Sequence, residues 1–415
     1  MTSRWLVAGI GVAFVAGVLA WQPAAGPMDT TVERDRRSVA EVDFREVARK
    51  LVNQSARVKE GEFVLINGGV RDLELLEDMA IATRRLGAWP MVTLGSDRMT
   101  RLMYDDVPAA FDGQRPELAV RVVGLFPVNI NVDFSENDRV LEGVSPERIA
   151  AQGKAAQPVG DLAREFNVRT INLGNGFYPT KQRAAMFGIS RDELAEIFWA
   201  GVSVDYQELR QTGLSVKRVL DEGHTLRITN PNGTDLTVQL GGKDVLISDG
   251  VVSADDERLG GAATTVWLPA GEVFTAPLAG TAEGIIVADH FFYQGHRIEG
   301  LRLEFAEGKL TAMKADNGLE LIQASYDVAG EGRDQFAVVD IGINPNIQLQ
   351  PGSSMVGWVP AGMVTVGVGN NAWAGGANNV NFAIYPFLPG STVEVDGVVV
   401  VDGGVLQTGR LLGME

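Results

Sequence analysis

From about residue 43 to residue 202 the chain alternates helical and strand patterns, and this alternation is its strongest constraint on fold. Phe44, Val47, Ala48, Leu51 and Val52 recur at helical spacing and define one apolar face. Lys59-Glu60-Gly61 breaks that helix, and 63–66 is a short buried-strand run. Asn67-Gly68-Gly69 turns the chain into a second helix over 72–86, with Gly87 as its C-cap, and 91–94 is the next strand. Strand, helix and strand at this pace form a βαβ unit, whose strands run parallel because the crossover returns the chain to the same end of the sheet. Further strands are expected at 128–134 and 168–173. Ser190-Arg191-Asp192-Glu193 is a capping box, and the helix behind it carries Leu194, Ile197 and Phe198.

After Gly223 the texture changes to short β-rich runs separated by Gly, Asn and Asp turns: 226–229, 236–240, 301–305, 393–395 and 398–401. Asp396-Gly397 joins the last two as a tight hairpin. The expected fold class is α/β, an N-terminal parallel-sheet domain over 40–215 followed by a β-rich domain over 220–415. The Gly/Asn-rich loop at 367–379 has neither a Gly-Lys-Ser/Thr sequence nor a strand–Gly-x-Gly-x-x-Gly–helix context, which excludes a phosphate cradle. Its amides read first as turn formers and, alternatively, as hydrogen-bonding groups for a peptide or sugar.

Charge and composition narrow the function classes. Lys+Arg 36 against Asp+Glu 53 leaves a net charge of −17, and no basic stripe is present, so nucleic acid is not an expected partner. The chain has no cysteine, which excludes disulfides, thiol catalysis and thiolate metal sites. Arg4 precedes an apolar run over 6–20, with small residues following to Pro27. This pattern reads as a secretory signal over 1–25, cut after Ala20 or Ala25. The expectation is an exported, periplasmic or extracellular protein, membrane-anchored if the signal is not cleaved. No later segment is long enough to cross a bilayer.

Several segments, in order, resemble the aminopeptidase T family of two-metal exopeptidases. They are 58–66, Gly87-Ala88-Trp89-Pro90, Tyr178-Pro179-Thr180, Gly233-Thr234-Asp235-Leu236, 271–277, Gly342-Ile343-Asn344-Pro345 and Val395-Asp396-Gly397. The resemblance spans roughly 47–403, and the scaffold is also similar to that of 2,5-dihydroxypyridine dioxygenases. It implies a metallopeptidase-like C-terminal domain, a homodimer and, in an active member, a divalent metal pair of zinc or cobalt that activates water and polarises the peptide carbonyl. The family's ligands are a Glu in the first motif, a second Glu before the Gly-x-Asn-Pro turn, a His in a Gly-x-Val-His strand and a later His-x-Asp, with a Tyr after the first His. Carried onto this chain, the first ligand is Glu272. The second falls on Val338, the His on Thr365, the His-x-Asp near Asn381 and Ala383, and the Tyr near Ala372 or Trp373. No histidine follows His296.

The metal candidates are therefore Glu272 and Asp340. Glu272 has a plainer reading as a solvated acid at a strand end. Asp340 lies two residues beyond Val338, so on a strand it shares that residue's face; its plainer reading is a turn cap ahead of Gly342. Asp235 would complete a relocated carboxylate set. His290 and His296 flank a Gln294-Gly295 turn that would bring two imidazoles together as a zinc pair requires, against the plainer reading of two structural histidines. His224 reads as a loop residue. Three functions follow. The first is a non-catalytic homologue without a cofactor that binds peptides, the second an active aminopeptidase with relocated ligands, and the third a structural or assembly protein.

Overall fold

The computed structural model describes residues 42–411; the signal expected at 1–25 lies outside the described residues. Helix α1 (Phe44–Arg49) starts at Asp43, whose carboxylate accepts from the Arg45 and Glu46 amides, and its apolar stripe continues through a π-type turn at Lys50–Ser55. Then follow β1 (Phe63–Gly69), α2 (Leu73–Arg85), β2 (Trp89–Gly95), α3 (Asp97–Asp105), α4 (Glu117–Val122), β3 (Val128–Val132), α5 (Pro146–Glu165) and β4 (Arg169–Leu173). Strands β1 to β4 pair in parallel in the order β2-β1-β3-β4, as the βαβ pattern requires. Helix α2 lays Leu75, Leu76, Met79, Ala82 and Thr83 into the core, an i, i+1, i+4, i+7, i+8 stripe. Burying each of its large apolar side chains contributes about 1.5–3 kcal/mol. Three helices follow, α6 (Lys181–Phe187), α7 (Arg191–Val202) and α8 (Tyr206–Glu222), and α7 opens with the complete Ser190–Glu193 capping box.

The parallel sheet does not end with this region. After β5 (Thr225–Asn230), β6 (Thr234–Gln239), β7 (Leu246–Ser248) and α9 (Ala254–Leu259), strand β8 (Thr265–Leu268) pairs in parallel with β4, placing Trp267 beside Asn172. A fifth strand thus comes from beyond the boundary expected between 215 and 220. Only Pro269-Ala270-Gly271 separates it from β9 (Glu272–Thr275), which belongs to another sheet. Gly271 sits at φ 126°, and a Cβ there would stand 2.7 Å from the Asn344 side chain, so this crossing needs glycine.

The remaining strands are β10 (Glu283–Tyr293), β11 (His296–Ala306), β12 (Lys309–Lys314), β13 (Phe336–Gly342), β14 (Val364–Gly369), β15 (Ala383–Ile384), β16 (Thr392–Val395), β17 (Val398–Asp402) and β18 (Val405–Leu406), with α10 (Leu319–Val328) between β12 and β13. They complete an eight-stranded sheet, β12-β11-β10-β6-β5-β16-β17-β18, and a five-stranded one, β15-β14-β13-β9-β7, whose ladders are antiparallel. One continuous apolar core runs from Val47 to Leu411. Among the described residues, no helix is long and apolar enough to cross a membrane.

Candidate functional site

Glu272 opens β9 and Asp340 lies inside β13, and both are fully buried. The strands are antiparallel neighbours, with Glu272 opposite Gly342 and Asp340 opposite Phe274. Side chains directly opposite share a face, and so do residues two apart, so the two carboxylates point to the same side. They form a diagonal pair, which ordinary sheet geometry sets roughly 7–8 Å apart. Neither plainer reading holds. Glu272 is not a solvated acid, and Asp340 is a mid-strand residue rather than a turn cap, because the Phe336–Gly342 strand runs through it.

Beside the two carboxylates and Thr365, that face carries aromatic rings. Phe274 follows Glu272 on it, and the Trp373 ring packs 5.1 Å from Phe274, 5.4 Å from Trp267 and 5.8 Å from both Trp358 and Tyr385. Trp373 Nε1 donates to the Tyr385 hydroxyl at 2.8 Å, and that hydroxyl donates to the Asn370 carbonyl at 2.6 Å. The aromatic edges thus have their polar partners inside the core, as buried Trp and Tyr require. Thr365 stands opposite Asp340 with its hydroxyl buried, and Val338 is fully buried. A Cβ on Gly367 would meet both the Tyr385 ring and Val338 at 2.7 Å, so the packing on this side has no slack.

The other candidates lie elsewhere. Asp235 is on β6, in the eight-stranded sheet, where its two oxygens pair with the Arg227 guanidinium at 2.9 and 2.8 Å. That exposed pair draws its pKa down, the Arg227 hydrogen bond being the main cause, and Asp235 cannot join a set in another sheet. The histidine pair is also overturned. His296 is opposite Tyr293 and His290 opposite Glu299, so the tight Gln294-Gly295 turn puts the two imidazoles on opposite faces of the β10–β11 hairpin. His290 Nε2 is 3.1 Å from the Ser354 carbonyl, and desolvation by burial lowers its pKa. His224 is exposed beside Asp396, just before β5.

A residue missing from the sequence reading adds to the surroundings of Glu272. Asn175, held at φ 40° between Gly174 and Gly176, donates its amide to Glu272 Oε1 at 2.7 Å and to the Pro269 carbonyl at 3.1 Å. The Gly-Asn-Gly spacing was the available signal. An N–H donor on the carboxylate occupies a lone pair that a cation would use. A divalent peptidase centre takes three or more nitrogen or oxygen donors per ion with room for water. Here two carboxylates share a face with indole and phenyl rings, and among the described residues no group of three His, Cys, Asp or Glu side chains could hold a metal. This donor set does not fit the family's metal pair.

The chain nevertheless has clear relatives. It is 28% identical to Aminopeptidase T of Thermus aquaticus over 280 residues, 63% of each protein, so the match spans under two thirds of that relative's length. It is 26% identical to Aminopeptidase PepS of Streptococcus thermophilus over 305 residues, 66% of this chain and 71% of the other. Its fold matches that of AmpT from Thermus thermophilus with a TM-score of 0.68 at 19% identity, covering 88% of this chain and 98% of that one. A 2,5-dihydroxypyridine dioxygenase from Pseudomonas putida matches with a TM-score of 0.59 at 15% identity, covering 89% of this chain and 98% of the other. The family model described as thermophilic metalloprotease (M29) matches residues 41–332, most of the chain, and this protein belongs to that family.

Proposed function

We propose that this protein is an exported, non-catalytic member of the M29 family that acts by binding peptides rather than cleaving them. The observation that carries this reading is the face beside Glu272, where Val338, Thr365 and Trp373 take positions that resemble ligand and tyrosine positions of the aminopeptidases, and where aromatic rings pack against one another. Hydrolysis of a peptide bond needs a polarised carbonyl and an activated water, and among the described residues no group of three His, Cys, Asp or Glu side chains stands ready to hold the metal that would supply them. Export rests on the basic, apolar and small-residue succession at the N-terminus. The shared face of Glu272 and Asp340 favours the alternative, an aminopeptidase with relocated ligands.

Elemental analysis and calorimetry of the pure protein with zinc and cobalt, alongside assay of N-terminal residue release, separate the two. The expected result is no stoichiometric metal and no release. Zinc- or cobalt-dependent release that disappears in Glu272→Ala overturns the proposal. Cell fractionation tests export independently, and a chain retained in the cytoplasm contradicts it.

A further inference from the structure

The parallel sheet is packed on one face and hollow on the other. On the packed face α2 buries five residues, whereas α3, α4 and α5 each bury one, respectively Thr100, Ala119 and Ala156, although α5 is 20 residues long. None of those three residues joins the continuous core. Between these helices and the sheet lies a cavity of about 780 Å³. Helix layers normally interdigitate with a sheet and leave few voids larger than a water molecule. A space of this size therefore holds solvent or a ligand.

The sheet face that floors the cavity is polar where an ordinary α/β sheet is apolar. The strand registers align Thr93, Asn67, Asn131, Asn172 and Trp267 in one row across five strands, with Asn129 and Thr170 in the next row. Thr93 donates to Asn67 Oδ1. Asn67 Nδ2 donates to Asn129 Oδ1 at 2.9 Å and Asn131 Oδ1 at 2.8 Å, and Asn131 Nδ2 donates to Asn172 Oδ1 at 2.9 Å. The Nδ2 groups of Asn129 and Asn172 donate to no other described residue, and both residues line the cavity. The opposite wall presents apolar side chains, with Met103 and Phe111 on the cavity and 43% and 50% exposed rather than packed into the core.

Most of the charge around the cavity is compensated. Arg183 pairs with Asp133 and Asp138, Asp112 with Arg148, and Arg164 with Asp161; Asp97 accepts from Ser135 and from the Glu136 and Asn137 amides. Among the lining charges only Asp97, which has no ion pair among the described residues, and Arg115, 3.9 Å from exposed Glu117, are open to a ligand; the rest are paired, so a neutral ligand loses least there. A planar amide matches the Asn row best, because one amide offers a carboxamide both a donor and an acceptor in the same plane.

We propose that this cavity is a binding site for an uncharged, amide-bearing molecule that sets its polar edge on the Asn67–Asn131–Asn172 row and its apolar side against α3 and α5. Glu272 and Asp340 do not line the cavity, although Trp267 and Trp373 border both places, and the proposal stands whether or not that pair holds an ion. Trp267 and Trp373 line the cavity, so occupancy changes tryptophan emission.

The test is calorimetric and fluorescence titration of the full chain, metal-free, with N-acetyl-leucyl-leucinamide. The comparisons are zwitterionic leucyl-leucine and octyl glucoside, which carries hydroxyls in place of amides. Saturable one-site binding of the blocked dipeptide is expected, at least ten-fold tighter than either comparison. Asn131→Leu and Asn172→Leu should each weaken it ten-fold or more with unfolding temperature maintained, and Ala163→Phe, which fills the cavity from α5, should abolish it. No saturable binding of the blocked dipeptide overturns the proposal. So does equal or tighter binding of a comparison compound, or binding unchanged in the folded variants. None of these results depends on peptidase activity, so failure here is distinct from recovery of metal-dependent cleavage.

Discussion

Asn175 and Glu272 meet at 2.7 Å inside the core, with the same Asn175 nitrogen reaching the Pro269 carbonyl at 3.1 Å. The bond ties the loop after β4 to the first residue of β9, and so ties the parallel sheet to the five-stranded one. Removing the acceptor leaves a buried amide short of a partner, whereas an amide in place of the acid keeps shape and an oxygen. Glu272→Ala should therefore destabilise the protein by roughly 2–3 kcal/mol, and Glu272→Gln by clearly less. Urea unfolding checks both. Equal losses would show that the acid itself, rather than an oxygen acceptor of the same shape, is required.

Trp373 touches Trp267, Phe274, Trp358 and Tyr385 and donates to Tyr385. Trp373→Ala should cost about 3–5 kcal/mol, as large-to-small changes in a core do. A thermal melt shifted by only a degree or two would mean that the rings rearrange freely and that this face can open.

Arg183 is fully buried between Asp133 and Asp138, at 3.1 and 2.7 Å. Burial opposes its charge, but the Asp138 and Asp133 carboxylates outweigh that penalty and hold its pKa above the ordinary arginine value. Arg183→Met would leave two acids uncompensated beside the cavity and should cost about 3–5 kcal/mol at pH 7. Burial opposes the Asp138 charge, but Arg183 outweighs it and holds that carboxyl below its usual pKa. Without Arg183 it takes up a proton more readily, so the loss should shrink near pH 4, a contrast that melts at the two pH values measure directly.

Asp249 has its pKa pushed up to about 6, chiefly by burial, against the opposing effects of the Val251 amide and Arg210. Because the folded value exceeds the ordinary 3.8, its stabilising contribution is full below pH 3.8 and is lost as pH rises through 6. Asp249→Asn cannot ionise. Its stability relative to wild type should improve by something on the order of 2–3 kcal/mol from pH 4 to pH 8. A difference that stays flat with pH would show that Arg210 fully compensates the charge.

Local signals carried much of the architecture. The Ser190–Glu193 box, the 63–66 and 91–94 runs and the Asp396-Gly397 turn all stand where hydrogen-bond chemistry and periodicity put them. What escaped was non-local. Thr265–Leu268 reads as another β-rich run until its pairing with β4 is known. The histidine pair failed on parity, since a two-residue turn fixes which faces positions 290 and 296 occupy. Asparagines at 67, 129, 131 and 172 are ordinarily turn formers, and their alternation with apolar neighbours signals a polar sheet face only after the strands are registered side by side. Glu272 was legible from family resemblance. The aromatic packing beside it was not, because Trp267, Trp358, Trp373 and Tyr385 come from separate stretches of chain.

The position of β8 bears on the order in which the molecule can be completed. A polypeptide emerging from the ribosome, or threading through an export channel from its N-terminus, exposes β1 to β4 long before residues 265–268 appear. Until then β4 has a bare edge, a template for pairing with another chain. The same three-residue crossing that closes this edge starts the strand bearing Glu272. Completion of the first sheet and the beginning of the second are thus a single event in the life of the nascent chain, and a fragment ending near residue 215 would be left with a sticky border rather than a finished domain.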